Sequence, residues 1–247
     1  LYFAQSLLWA MPLLDPRLQN AIKKFPDLVM AGACLPDLAV VSHRFRHTHL
    51  WENAHQLLLS AKTEEETAIA IGYASHLYVD VIAHNHFVPA HEAMWFKNSM
   101  MTHIASEWAM DAYLSPLMSA TPSRLLSQHR DVITSFVAQQ FRCSEKMTKH
   151  ALNRLIFWDG ELRAVKLPSL IYWSARAFDK RVFKHFVYYI AKTQVAVENI
   201  GIVLNGNKPA FEPELKNLNS VQLDDWRKEC LGELSLQHPQ PIEYFVN

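Results

Sequence analysis

The chain has 247 residues, half of them apolar, with 24 basic and 24 acidic side chains, which suits one large or two small globular domains with a substantial core. A zero net charge without a basic stripe excludes long-range attraction of polyanions and leaves nucleic acid open only as a substrate. Three cysteines in no C-x-x-C spacing exclude a disulfide framework and a thiolate zinc site, and no apolar run reaches the ~18 residues that span a bilayer.

Residues 1–25 carry Phe3, Leu7, Leu8 and Met11 at helical spacing, are broken by Pro12 and Pro16, and resume in RLQNAIKKF. Two helical pieces joined at Asp15-Pro16 are predicted. The short segment Leu28 to Leu35 leads into Pro36, which ends the helix and leaves Asp37 at a structured corner. Residues 43–49, HRFRHTH, form a polar loop dense in imidazole, and Leu50 to Ala61 again has helical periodicity.

Thr63 and Glu66 form the S/T-x-x-E signature of a capping box. The helix they open is predicted to run to about Asn85, roughly 35 Å at ~1.5 Å per residue, with Pro89 as its latest end. From Ala68 to Ala83 it is apolar on all sides except for Ser75, His76 and Asp80. A helix of that kind is buried. Gly72, His76, Asp80 and His84 succeed one another at i, i+4 along one stripe, the glycine leaving room for a neighbour. No Lys or Arg lies between Lys62 and Lys97 to pair with Asp80. A buried carboxylate must be neutralised, paired or metal-bound, so a metal cation is the economical partner.

The segment from Ser99 to Leu114 is predicted as another helix, with His103, Glu107 and Asp111 on one face. Beyond it, Pro122 to Phe141, Ser144 to Phe157, Ala175 to Leu204 and Pro213 to Leu236 read as amphipathic helices, with a turn at Asn205-Gly206-Asn207 and a Pro-containing tail from His238. No strand alternation, repeat or Gly-rich phosphate loop is present, and the expected class is all-α.

Nine of the thirteen histidines fall between residues 43 and 103. Two helices presenting His-x-x-x-Asp and His-x-x-x-Glu to each other can hold metal in a bundle core, and imidazole with carboxylate but no thiolate suits catalytic zinc, with iron and manganese as alternatives. His43, His55, His91, His129, His150, His185 and His238 are read as ordinary core or surface residues, and Asp111 as a residue that orients a ligand histidine or touches metal. The aromatic run from Trp173 to Tyr189 is read as core packing in preference to a lipid-accessible mouth. Trp95 and Phe96, with Met94, Met100 and Met101, are the candidates to touch an acyl chain or a base, surface exposure being the feature to look for.

Pro36-Asp37, then His49-Leu50-Trp51, then His76-x-x-x-Asp80-x-x-x-x-x-His86, then His103-x-x-x-Glu107, resembles the ordered ligand set of the zinc-dependent phospholipase C family, to which the fungal single-strand-specific nucleases are related. The resemblance covers roughly residues 28–115. It implies a single-domain multi-helix bundle over residues 1–247, with a metal-ligand half at about 1–115 and a supporting half at about 120–247. It also implies two or three zinc ions. Asp37, His49, His76 and Asp80 would hold the first, His86, His103 and Glu107 the second, and Asp80 would bridge to a third. In relatives that third ion is held by an N-terminal tryptophan and a nearby histidine. Neither has a counterpart here; the chain opens on Leu1 with its first methionine at Met11, and the expectation is that those ligands lie upstream.

Two positions stay open. His86 has the spacing from Asp80 of the characterised enzymes, whereas His84 stays on the helical stripe and AHNxFVP resembles a bacterial branch in which the histidine before asparagine is the expected ligand. Likewise His47 competes with His49. The implied activity is hydrolysis of a phospholipid or other small phosphodiester with peripheral membrane-surface contact, in a secreted or periplasmic protein, with Asp37 activating the water. A nuclease or nucleotidase on the same metal cluster, and a zinc-stabilised scaffold without catalysis, are the alternative readings.

Overall fold

The apolar stretch forms the helix Glu64–Ile82, with three glutamates in its first turn to complement the positive end of the helix dipole. In this computed structural model, which describes residues 1–95, 100–214, 218–238, 242 and 244, every regular element among the described residues is helical and no strand occurs. Ile69, Ile71, Tyr73, Ala74, Leu77, Tyr78 and Val81 are all fully buried, as the composition requires, while His76 and Val79 are half-buried along one side. Its capping differs by one residue from the expected box. The Glu66 amide donates to Thr63 Oγ1 at 3.1 Å, but the Glu66 carboxylate takes the Lys62 amide at 2.6 Å.

Two compact units divide the chain, each drawn from three separated stretches. The first comprises Leu1–Tyr78, Met118–Ala164 and Val197–Lys208. Its helices include Tyr2–Ala10, Pro16–Lys24, capped by the Asp15 carboxylate, and Pro26–Gly32. The last crosses Glu64–Ile82 at backbone distance. A β-carbon on Gly72 would lie 1.9 Å from the Val29 carbonyl oxygen, and one on Gly32 would lie 2.2 Å from that of Ile69. Only glycine at both positions permits the approach.

The second unit comprises Val79–Leu117, Val165–Ala196 and Pro209–Asn247. Here Phe87, His91, Tyr113, Tyr172, Phe186 and Tyr189 make a continuous set of ring contacts with centroids 4.4–6.2 Å apart, mostly in the tilted or edge-on arrangements that aromatic quadrupoles favour. Arg227, buried in Ser220–Leu236, reaches Glu92 at 2.7 Å and Asp224 at 3.1 Å, so its charge is paired as burial demands.

Several expected boundaries move. Helical structure does not end before Pro89: a π-turn at Ala83–Phe87 succeeds Glu64–Ile82 and continues into Val88–Met94. The Val88 amide reaches Ala83 by an i→i−5 bond, and Pro89, which has no amide to donate, sits in the first turn of the next helix, where none is needed. The expected Ala175–Leu204 helix is divided as Leu167–Phe178, Val182–Ala196 and Ile200–Leu204. Asp179 explains the first break, because its carboxylate accepts the Arg181 amide at 2.9 Å and competes with helical continuation. Pro122–Phe141 is interrupted at His129, Ser144–Phe157 extends to Glu145–Ala164, and Ser220–Leu236 opens on a complete capping box at Asn219 and Gln222. Gly206 takes φ +95° in the expected turn.

Replacing Gly72 by alanine should lower unfolding stability by about 3 kcal/mol or more, since two backbones would have to part. Gly160→Ala, in a helix where a β-carbon meets nothing within 4 Å, should instead raise it by roughly 0.5–1 kcal/mol; paired urea titrations measure both. A second expectation concerns acid. Burial pushes the His91 imidazole down from 6.5 to about 4, so as pH falls through that window the unfolded chain takes the proton first and stability declines. The neutral ring's contribution is therefore complete above pH 6.5 and lost toward about 4, and His91→Gln should flatten this part of the urea-midpoint profile.

Candidate metal centre

Asp37, His49 and His76 meet in the first unit, with one ligand atom from each lying within 4.8 Å of the others. Their positions are set by hydrogen bonds of the surrounding backbone. The Gly32–Gly72 crossing brings the Ala33 carbonyl to His76 Nδ1 at 2.7 Å. A ring that donates Nδ1–H to a carbonyl keeps its lone pair on Nε2, the arrangement of a metal-ligating imidazole. Asp37 stands at the corner that opens the single-turn helix Leu38–Val41. That corner is tied to the His49 end of the loop by Thr48, whose hydroxyl donates to the Pro36 carbonyl at 2.6 Å. In turn the buried Tyr73 hydroxyl donates to the Thr48 carbonyl, and the His49 and His76 rings lie edge to face at 5.4 Å.

His47 turns elsewhere. It is exposed, and its Nε2 accepts from Arg46 Nε at 2.8 Å. His43 approaches the same guanidinium at 3.2 Å. The histidine-dense loop therefore delivers one imidazole, His49, to the acid at residue 37.

His84, His103 and Glu107 form the corresponding group in the second unit, again within 4.8 Å. His103 and Glu107 are neighbours on one helix face with Nε2 and Oε1 3.3 Å apart; His84 Nε2 is 3.6 Å from the same carboxylate, and the two rings stack at 5.2 Å. The hydrogen bond that His103 donates to the Glu107 carboxylate raises the His103 pKa against the opposing effect of burial. Asp80, buried, is 4.0 Å from His84 Nε2, one helical turn beyond His76.

The structure brings His84, and not His86, to His103 and Glu107. His86 is buried against Trp226 and Phe211, with Nδ1 facing Glu233 at 3.7 Å, and holds that carboxylate's pKa down. Between the two histidines Asn85 is clamped from both ends. Its amide donates to the Glu212 carbonyl at 3.0 Å, and its own carbonyl accepts from Trp226 Nε1 at 2.6 Å and Cys230 Sγ at 3.3 Å. These contacts come from the C-terminal stretch, in which sequence patterns alone reveal no role. Ala33, Thr48, Tyr73 and Asn85 brace the candidate ligands without carrying metal-binding chemistry, and no spacing rule selects them.

Asp111 is exposed, one turn past Glu107 and in neither group. Phe96 lies outside the described residues, as does the side chain of Met100. Of the remaining apolar cluster, Met101 is 74% exposed, while Trp95 is half-buried and bonded to Asp179 at 3.4 Å.

The family model for zinc dependent phospholipase C matches residues 1–157, a span containing every residue of both groups. The chain belongs to this family. No curated protein and no solved structure matches it. Membership accounts for the donor chemistry: two histidines and one carboxylate in each group, with no sulfur, are the nitrogen and oxygen ligands that zinc takes at catalytic sites, and the carbonyl-anchored His76 ring is oriented as such a ligand is.

Elemental analysis of purified variants separates the two candidate histidines. His84→Ala should lower zinc content, whereas His86→Ala should leave zinc unchanged and lower thermal stability by removing a buried ring from between Trp226 and Phe211.

Proposed function

We propose that this member of the zinc-dependent phospholipase C family hydrolyses phospholipid-like phosphodiesters, using two zinc ions, one in each triad. The observation that carries this reading is the pair of triads, Asp37–His49–His76 and His84–His103–Glu107, in a chain of that family. When bound, zinc supplies Lewis acidity that lowers the pKa of a water and neutralises charge on the phosphate. Asp37 takes the proton from the attacking water, as a carboxylate on a corner braced by Thr48 and close to both imidazoles. The water oxygen joins phosphorus, the phosphorus–oxygen bond on the glycerol side breaks, and the proton ends on the glycerol oxygen. Diacylglycerol and a phosphorylated head group are the products. His76 serves as a neutral ligand held by Ala33, and Glu107 offsets the charge of the second site while ordering His103.

With a chromogenic phosphocholine ester as substrate, Asp37→Asn should cost ~10²-fold or more in turnover, the scale of lost general-base catalysis, with zinc content retained. Undiminished turnover would remove Asp37 from proton transfer. Faster cleavage of single-stranded DNA than of the ester would transfer the assignment to a nuclease. A zinc-loaded protein inert toward both would be a scaffold.

A further inference from the structure

Helix Leu167–Phe178 buries Tyr172 and Ala175 in the second unit. Its opposite face carries Leu170, Trp173 and Ala177 at i, i+3 and i+7, with Leu170 60% and Trp173 59% exposed. The next helix, Val182–Ala196, likewise exposes Phe183, Val187 and Val195. Ring contacts of 5.4–6.1 Å run from Trp173 through Tyr172 and Tyr113 to Phe183. Isolated exposed apolar side chains are ordinary, but a stripe of them on two successive helices marks a binding surface.

Charge identifies the occupant. Between Lys166 and Lys192 the chain has six basic residues, Lys166, Arg176, Lys180, Arg181, Lys184 and Lys192, against one acid, Asp179. That acid is already engaged by Arg181 at 3.0 Å. A chain with no net charge overall thus concentrates a positive surplus on the helix pair that exposes tryptophan, leucine and phenylalanine. The Arg176 guanidinium lies 5.3 Å from the Trp173 ring centre, where a cation at the head-group level and an indole at the acyl boundary would both be satisfied. A second copy of this chain fits poorly, because a self-complementary contact would set like charges against one another.

We infer that the face formed by helices Leu167–Phe178 and Val182–Ala196 docks on anionic lipid bilayers, inserting Leu170, Trp173 and Phe183 between head groups held by the basic side chains; this deepens, and rests on, the phospholipid reading of the substrate. Amphipathic helices with basic and aromatic residues bind membrane interfaces by this combination.

The test is co-sedimentation of the full chain with phosphatidylcholine vesicles, with and without phosphatidylserine, at low and high salt, beside hydrolysis of a soluble chromogenic phosphodiester. The phosphatidylserine vesicles should bind the protein more tightly, and less so as salt rises. Leu170→Asp with Trp173→Asp should weaken that binding roughly tenfold or more, with soluble-substrate turnover unchanged. Lys166→Glu with Lys180→Glu should remove the salt-sensitive part, while Trp9→Asp, at a residue 84% exposed in the other unit, should change nothing. Equal binding to both vesicle types, binding unaffected by the helix variants, or self-association in sedimentation velocity that the aspartate pair abolishes would each overturn the inference. Soluble turnover without vesicle binding sinks the docking face alone; vesicle binding through this face in a protein inert toward phosphodiesters upholds the docking and sinks the phospholipase reading.

Discussion

The backbone crossing at Gly32 and Gly72 is the constraint on which the first candidate metal group depends. Two helices meet there so closely that neither position has space for a methyl group. The consequence lies one residue past Gly32 and one turn past Gly72. Ala33, just past the end of one, presents a carbonyl to His76 on the other, and that hydrogen bond sets which imidazole nitrogen is left for a metal. A looser crossing would leave the histidine on the same helical face but with its tautomer and ring angle undetermined. Packing density and ligand chemistry are thus joined through two residues that have no side-chain chemistry at all.

In the second unit the comparable constraint is the π-turn at Ala83–Phe87. Adding a residue to the helical turn rotates the succeeding residues relative to the Asp80 stripe. His84, at the beginning of the turn, remains beside His103 and Glu107, while His86 is carried into the aromatic packing of Trp226 and Phe211. The widened turn is held by the C-terminal helix through Asn85 and, further on, by Arg227 with Glu92. A helical stretch that reads in the sequence as mere support therefore braces the turn that sets His84 beside His103 and Glu107.

Much of this was legible in the chain, for physical reasons that can be named. The all-round apolar composition of residues 68–83 announced burial, and the i, i+4 repetition of His76, Asp80 and His84, with His103 and Glu107, announced that these side chains share one side of each helix. Both are local properties of an α-helix. The breaks at Asp179 and His129 were not legible, since the surrounding apolar periodicity continues through them. Nor was the path through Pro89, because proline is read as a terminator unless the preceding hydrogen bonds have already shifted by one residue.

The sequence by itself determined the helical class and the two helices that present His76 and Asp80, and His103 and Glu107, because periodicity and side-chain chemistry are properties of short stretches. Only the tertiary structure shows that His84 lies beside His103 and Glu107 while His86 does not, that His49 lies beside Asp37 and His76 while His47 does not, and which His76 nitrogen meets a carbonyl. Those placements turn on carbonyls, rings and cations supplied by segments distant in the chain: Ala33 for His76, Trp226 and Phe211 for His86. His47 was lost to its immediate neighbour, Arg46. Spacing states which residues can share a face, but only the groups packed against that face determine which way each ring turns.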